Sequence, residues 1–140
     1  MRTWSTAHSV DTDVPRDALW ATFVALHSGE LRLPGGDEYL PAAPLQVGTP
    51  LEVIPEGAER MFATITEFEP PALYADETQF DGLVITFRHR FESLATGTRI
   101  THELVVRGEE ADVVGPDLGP DISAGFPAQL ELLIEAARRR

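Results

Sequence analysis

The chain has 140 residues, 43% of them hydrophobic and 24% charged, which is ordinary globular composition and a length that suits one domain over residues 1–140. Eleven basic against 23 acidic residues leave a formal net charge of -12. A surface that acidic repels phosphate backbones and anionic bilayers, so neither a nucleic-acid partner nor membrane insertion is expected. There is no cysteine, which excludes disulfides, thiolate catalysis and cysteine-ligated metal.

The opening MRTWSTAHSVD lacks a basic segment followed by an apolar one, so no signal peptide is expected. No apolar run approaches the roughly 18 residues needed to span a bilayer, and a cytoplasmic, soluble protein is the expectation. Residues Arg2 to Val10 alternate, with Trp4, Thr6, His8 and Val10 on one face, and predict an opening strand. A helix follows. Pro15 suits its first position, Asp13 and Asp17 favour its positive end, and Leu19, Trp20, Phe23 and Leu26 form one stripe that Gly29 ends. Residues 29–50 carry several Pro and Gly and read as irregular, with one short helical turn near Glu30 to Leu33.

Five strand signals come next: Pro50 to Ile54, Arg60 to Phe68, Ala72 to Phe80, Leu83 to Phe91 and Thr98 to Arg107. Glu56-Gly57, Pro70-Pro71, Asp81-Gly82 and Thr96-Gly97 supply the turn chemistry between them. From Pro116 the spacing of Ile122, Phe126, Leu130, Leu133 and Ala137 predicts one long C-terminal helix, kinked or interrupted at Pro120 and Pro127. Strands bounded by helices at both ends argue for an α+β fold. An antiparallel sheet hides one face, and the apolar stripe of the last helix needs a partner, so the concave face of the sheet should receive it.

Four stretches in this order resemble the START-like helix-grip superfamily (SRPBCC), in particular its polyketide cyclase/dehydrase and lipid-transport group. They are VPRDALW at 14–20, ITEFEPPALYA at 65–75, FRHRFESLATGTRITHELVVRG at 87–108 and GFPAQLELLIEAA at 125–137. The resemblance implies a curved antiparallel sheet wrapped around the C-terminal helix, with a cavity between them. Members bind lipids, polyketides, hormones and other hydrophobic ligands, and some catalyse cyclisation or dehydration. Members usually have a second helix and a strand before residue 49, where this chain is rich in Pro and Gly.

The 87–108 hairpin carries the candidate chemistry. Pairing residues whose numbers sum to 191 sets Glu92 against Arg99 and Arg88 against Glu103 on the solvent side. On the other face Phe91 meets Ile100, Phe87 meets Leu104, Ile85 meets Val106 and His89 meets His102. The opening strand should lie antiparallel beside the last; a sum of 110 sets Val10 by Ile100, His8 by His102 and Trp4 by Val106. His8, His89 and His102 then form a row facing the cavity, with His27 outside it.

A desolvated imidazole stays neutral, able to orient a ligand's polar atom or to act as a general base. The bland alternative is a set of buried histidines satisfied by one another, by water or by threonine. The predicted pocket lining is Phe87, His89, Phe91, Ile100, His102 and Leu104 from the hairpin, closed by Ile122, Phe126 and Leu130. His89, His102 and His8 are the candidate catalytic groups. No metal set and no cofactor motif is assigned. Three readings follow: a binding module for a small hydrophobic molecule; a cyclase-, dehydratase- or hydrolase-type enzyme using histidine; and an interaction domain resembling activators of a chaperone ATPase. A monomer or homodimer is expected.

Overall fold

The computed structural model describes residues 2–140. The chain runs β1 (Arg2–Thr12), α1 (Arg16–His27), β2 (Glu38–Pro41), β3 (Pro50–Ile54), β4 (Met61–Glu69), β5 (Leu73–Phe80), β6 (Leu83–Leu94), β7 (Gly97–Gly108), α2 (Ala111–Ser123) and α3 (Phe126–Arg138). The strands form one antiparallel sheet in the order β1-β7-β6-β5-β4-β3-β2. The long strands follow the alternation in the sequence. In β7, Thr98, Ile100, His102, Leu104 and Val106 are buried while the residues between them stay partly open.

The register is the one the pairing chemistry favours. Phe91 faces Ile100, His89 faces His102 and Phe87 faces Leu104 across β6–β7. His8 faces His102 and Trp4 faces Val106 across β1–β7. One charge pair is redistributed. Arg88 holds Glu103 at 2.7 Å and also Glu67 at 2.8 Å, but Arg99 pairs with Asp11 on β1 at 2.8 Å rather than with Glu92. Asp11 stands directly opposite Arg99 in the β1–β7 ladder, so the guanidinium has a cross-strand carboxylate on either side and takes that one.

The C-terminal segment is interrupted as Pro127 predicts: it forms two helices with a bend at residues 124–125. It departs from expectation in starting at Ala111, before Pro116, and in running through Pro120 without a break. Pro127 explains the position of the bend. Its ring in a continuing helix would strike the carbonyl of Ser123, whereas in the first turn of α3 its missing N–H costs nothing. Pro116 and Pro120 lie inside α2. That helix rests on β1, where a Cβ at Gly115 or Gly119 would sit 2.5 Å or 2.0 Å from the Trp4 side chain. Only glycine allows such an approach.

Helix α3 instead buries Leu130, Leu133, Ile134 and Ala137 in a core shared with Trp20 and Phe23 of α1 and with Phe91 and Ile100 of the sheet. A second core joins Leu83, Ile85, Leu104 and Val106 to Ala111 and Phe126. The bend falls between the two. Residues 31–33 are without regular structure, so the expected helical turn is not there; β2 pairs with β3 at the sheet edge instead. Among the described residues no helix is long and apolar enough to cross a membrane.

Candidate functional site

A cavity of about 460 Å³ opens under the bend. Phe87 and His89 of β6, His102 of β7, Asp76 and Thr78 of β5, and Val53 and Ala63 form its floor. Ile122 and Phe126, on either side of the bend, close one wall, and His27 and Tyr39 close another. Pro55, Ala58 and Met61 line it from the β3–β4 side, and Asp121 and Gln129 from the helices. A smaller space of about 90 Å³ adjoins it, sharing His27, Tyr39, His89 and His102 and reaching Leu130.

Of the residues expected to line a pocket, Phe87, His89, His102, Ile122 and Phe126 do so, and Leu130 borders the smaller space. Phe91, Ile100 and Leu104 do not. They are at most 1% exposed and lie in the packed cores. The strand face was read correctly, but Trp20 and Phe23 cover its Phe91 end, with Phe91 at 5.3 Å from both ring centroids.

The histidine row is rearranged. His89 and His102 stack face to face with ring centroids 3.8 Å apart, and His102 stacks in turn on Phe126 at 3.7 Å. His8 stands opposite His102 in the ladder but lines neither space. His27, expected to lie outside, is the third member, 6.2 Å from His89 and stacked between Phe23 and Tyr39 at 3.9 and 4.1 Å. Its Nδ1–H donates to the Phe23 carbonyl at 3.0 Å, which leaves Nε2 as the acceptor of a neutral ring.

Burial holds all three uncharged. The His27 pKa falls to about 4, with its backbone hydrogen bond opposing the shift. That of His102 falls to about 3 through burial and then the neighbouring His27 and His8. His89 is pushed well below its ordinary value by burial and then by His102 and His27. Stacked rings direct their nitrogens edgeways rather than toward one another. Accordingly, Nδ1 of His89 and both ring nitrogens of His102 are buried without a hydrogen-bond partner, and no cluster of three ligating side chains able to hold a metal occurs among the described residues.

Asp76, 6% exposed, is the unforeseen member. It accepts a 2.7 Å hydrogen bond from the Tyr74 hydroxyl. Burial raises its pKa to about 6 against that bond, and burial together with the Asp76 charge pushes the Tyr74 hydroxyl far upward. Asp37 is raised by burial, beside the Tyr39 hydroxyl. A signal for two of these was present. Asp76 alternates with Tyr74 and Thr78 on the inward face of β5, and His27 continues the Trp20–Phe23 stripe of α1 by one helical step.

An edge-to-edge antiparallel sheet gripping a bent C-terminal helix pair over a cavity defines a helix-grip domain, the fold of the START-like and Bet v1-like proteins. Three solved structures illustrate it. Ara h 8.0201 superposes with a TM-score of 0.78 at 13% identity, over 99% of this chain and 100% of that one. Norcoclaurine synthase from Thalictrum flavum gives 0.75 at 12% identity over 99% and 88%. The di-domain ARO/CYC BexL of the BE-7585A biosynthetic pathway gives 0.68 at 18% identity over 98% of this chain and 49% of that one. No family model and no curated protein sequence matches the chain.

Proposed function

We propose that this domain binds a small, mostly apolar molecule in the cavity beneath the bend, and that His89 and His102 hold its polar group. The observation that carries the reading is that His89 and His102, on the cavity floor, hold buried imidazole nitrogens with no partner in the protein, so that a small turn of either ring would present one to a ligand. A buried polar atom without a partner costs about 1–3 kcal/mol, which a ligand hydroxyl or carbonyl would recover. Phe87, Ile122 and Phe126 supply apolar wall on either side of that group. The unfilled cavity and the scattering of exposed apolar side chains, such as Phe62, Phe80 and Val113, argue against the interaction-domain reading. We extend the proposal to one domain over residues 1–140, acting in the cytoplasm as a monomer or homodimer; composition and length support that part.

Asp76 favours a second reading, an enzyme of cyclase, dehydratase or hydrolase type. A carboxyl whose pKa is near 6 and a neutral imidazole in one cavity form an acid/base pair. The Asp76 carboxylate would remove a proton from a hydroxyl or an activated C–H of the ligand and, as the acid so formed, return that proton to the group that leaves or rearranges, while a neutral imidazole N–H would hydrogen-bond the same group.

Native mass spectrometry of the purified protein tests the shared premise. The expected result is a bound mass of a few hundred daltons, or saturable uptake of the neutral dye N-phenyl-1-naphthylamine. Ile122→Trp, which fills the cavity from the bend, should abolish either. A wild-type protein that carries nothing and takes up no dye would remove the premise.

A further inference from the structure

We propose that the cavity selects molecules that carry a protonated amine on an apolar or aromatic body, and that it rejects carboxylic acids. The inference rests on the binding reading above and adds the charge class of the ligand. It begins with the ionisable groups that face the two adjoining spaces: Asp37, Asp76, Asp121, His27, His89, His102 and the Tyr39 hydroxyl, which burial keeps protonated. No arginine is among them, and the chain has no lysine, since all eleven basic residues are arginines. Of the sheet's arginines, Arg90 is exposed and lines neither space, and others are engaged elsewhere. Arg88 holds Glu67 and Glu103, Arg99 holds Asp11 and Arg107 holds Glu77.

The histidines do not supply the missing positive charge. Burial and mutual repulsion keep them neutral at physiological pH. A ligand carboxylate would therefore enter a low-dielectric space whose only fixed charges are negative. The acids are graded in depth. Asp121 is exposed, Asp37 is half-buried and Asp76 is 6% exposed.

A second observation points the same way. Among the described residues Asp76 accepts a single hydrogen bond, that of Tyr74, although a carboxylate has room for about four. The unpartnered nitrogens of His89 and of His102, itself 4% exposed, add acceptors that a neutral imidazole presents alongside its one donor. The site is short of donors, and an ammonium group brings three. The ring faces of Tyr39, Phe87 and Phe126 suit a cation on an aromatic body.

The test is calorimetric binding of three probes with one naphthalene body at about pH 7.5: 2-(2-naphthyl)ethylamine, 2-(2-naphthyl)ethanol and 2-naphthylacetic acid. Salt at roughly 0.5 M screens the overall net charge within about 4 Å, so that only groups in direct contact discriminate. The amine should bind at least about tenfold tighter than the alcohol, as expected for a charge-assisted hydrogen bond, and the acid more weakly than either.

Asp76→Asn preserves an acceptor for Tyr74. It should bring the amine down to the affinity of the alcohol while leaving the alcohol within about twofold. Equal binding of amine and alcohol, or tighter binding of the acid, overturns the charge inference and leaves the cavity reading standing. An amine preference that survives in Asp76→Asn and in Asp37→Asn overturns it as well. If none of the three binds, the cavity reading falls and takes this inference with it.

Discussion

Acidification from pH 7 to about 4 should remove most of the stability of this protein. The sign follows from which state holds the protons. An unfolded histidine charges near pH 6.5, whereas His27 in the fold stays neutral until about pH 4. Between those values the unfolded state binds more protons, and stability falls as pH falls. At 1.36 kcal/mol per pKa unit, His27 alone removes about 3 kcal/mol by pH 4. His102, neutral until about pH 3, and His89 act in the same direction.

Asp76 opposes them. Its folded pKa of about 6, against an ordinary 3.8, costs stability above pH 6 that is recovered as pH falls toward 4. That recovery, joined by Asp37, offsets part of the loss from the three histidines, and the remainder is drawn from a total of about 5–15 kcal/mol for a typical domain. Urea unfolding midpoints at pH 7, 5.5 and 4.5 should fall steeply. A midpoint independent of pH would mean that the three rings are charged or solvated in the fold.

Phe126→Ala should cost about 3–4 kcal/mol and also alter binding. The side chain is 2% exposed. It packs with Leu83, Ile85, Leu104 and Val106, stacks on His102 at 3.7 Å and meets the Phe87 ring edge-on at 6.3 Å. It is also a wall of the cavity. Truncation would therefore enlarge a space already open rather than leave a sealed void, which holds the loss toward the lower part of the range for buried aromatics. The bared His102 face should change the affinity for N-phenyl-1-naphthylamine severalfold. Denaturant unfolding and dye titration of the one variant read both effects. A loss below about 1 kcal/mol with unchanged dye binding would show that Phe126 neither packs nor lines.

Six of the seven strands were legible in the sequence because strand periodicity and charge pairing act over short distances, whereas the short β2, set among Pro and Gly, carries no such pattern. Arg88 opposite Glu103 and Phe91 opposite Ile100 already set the β6–β7 register, and that register fixes His89 against His102. The helices were less legible. Spacing joined residues 116 to 137, with Pro120 and Pro127 as the two expected break points; the steric demand of Pro127 on Ser123 makes the break, while α2 runs through Pro120 and begins before Pro116.

The site was half visible, since its floor is one strand face and its walls come from elements remote in sequence. Nothing in β6 or β7 indicates that Trp20 and Phe23 seal the end holding Phe91 and Ile100. The same helix carries His27 to the cavity, through the α1 stripe that also buries Phe23. His8 illustrates the limit of register. It is a ladder neighbour of His102, yet the cavity lies to the other side, toward β6 and β5.

The central claim is that the imidazoles of His89 and His102 meet the ligand. Long-range ¹H–¹⁵N spectra of the ring nitrogens, recorded while 2-(2-naphthyl)ethanol is titrated in, test it most directly. The account predicts that nitrogen resonances of His89 and His102 move and saturate with the calorimetric dissociation constant, while those of His8 stay in place. Saturable binding that leaves the His89 and His102 nitrogens unmoved would contradict it.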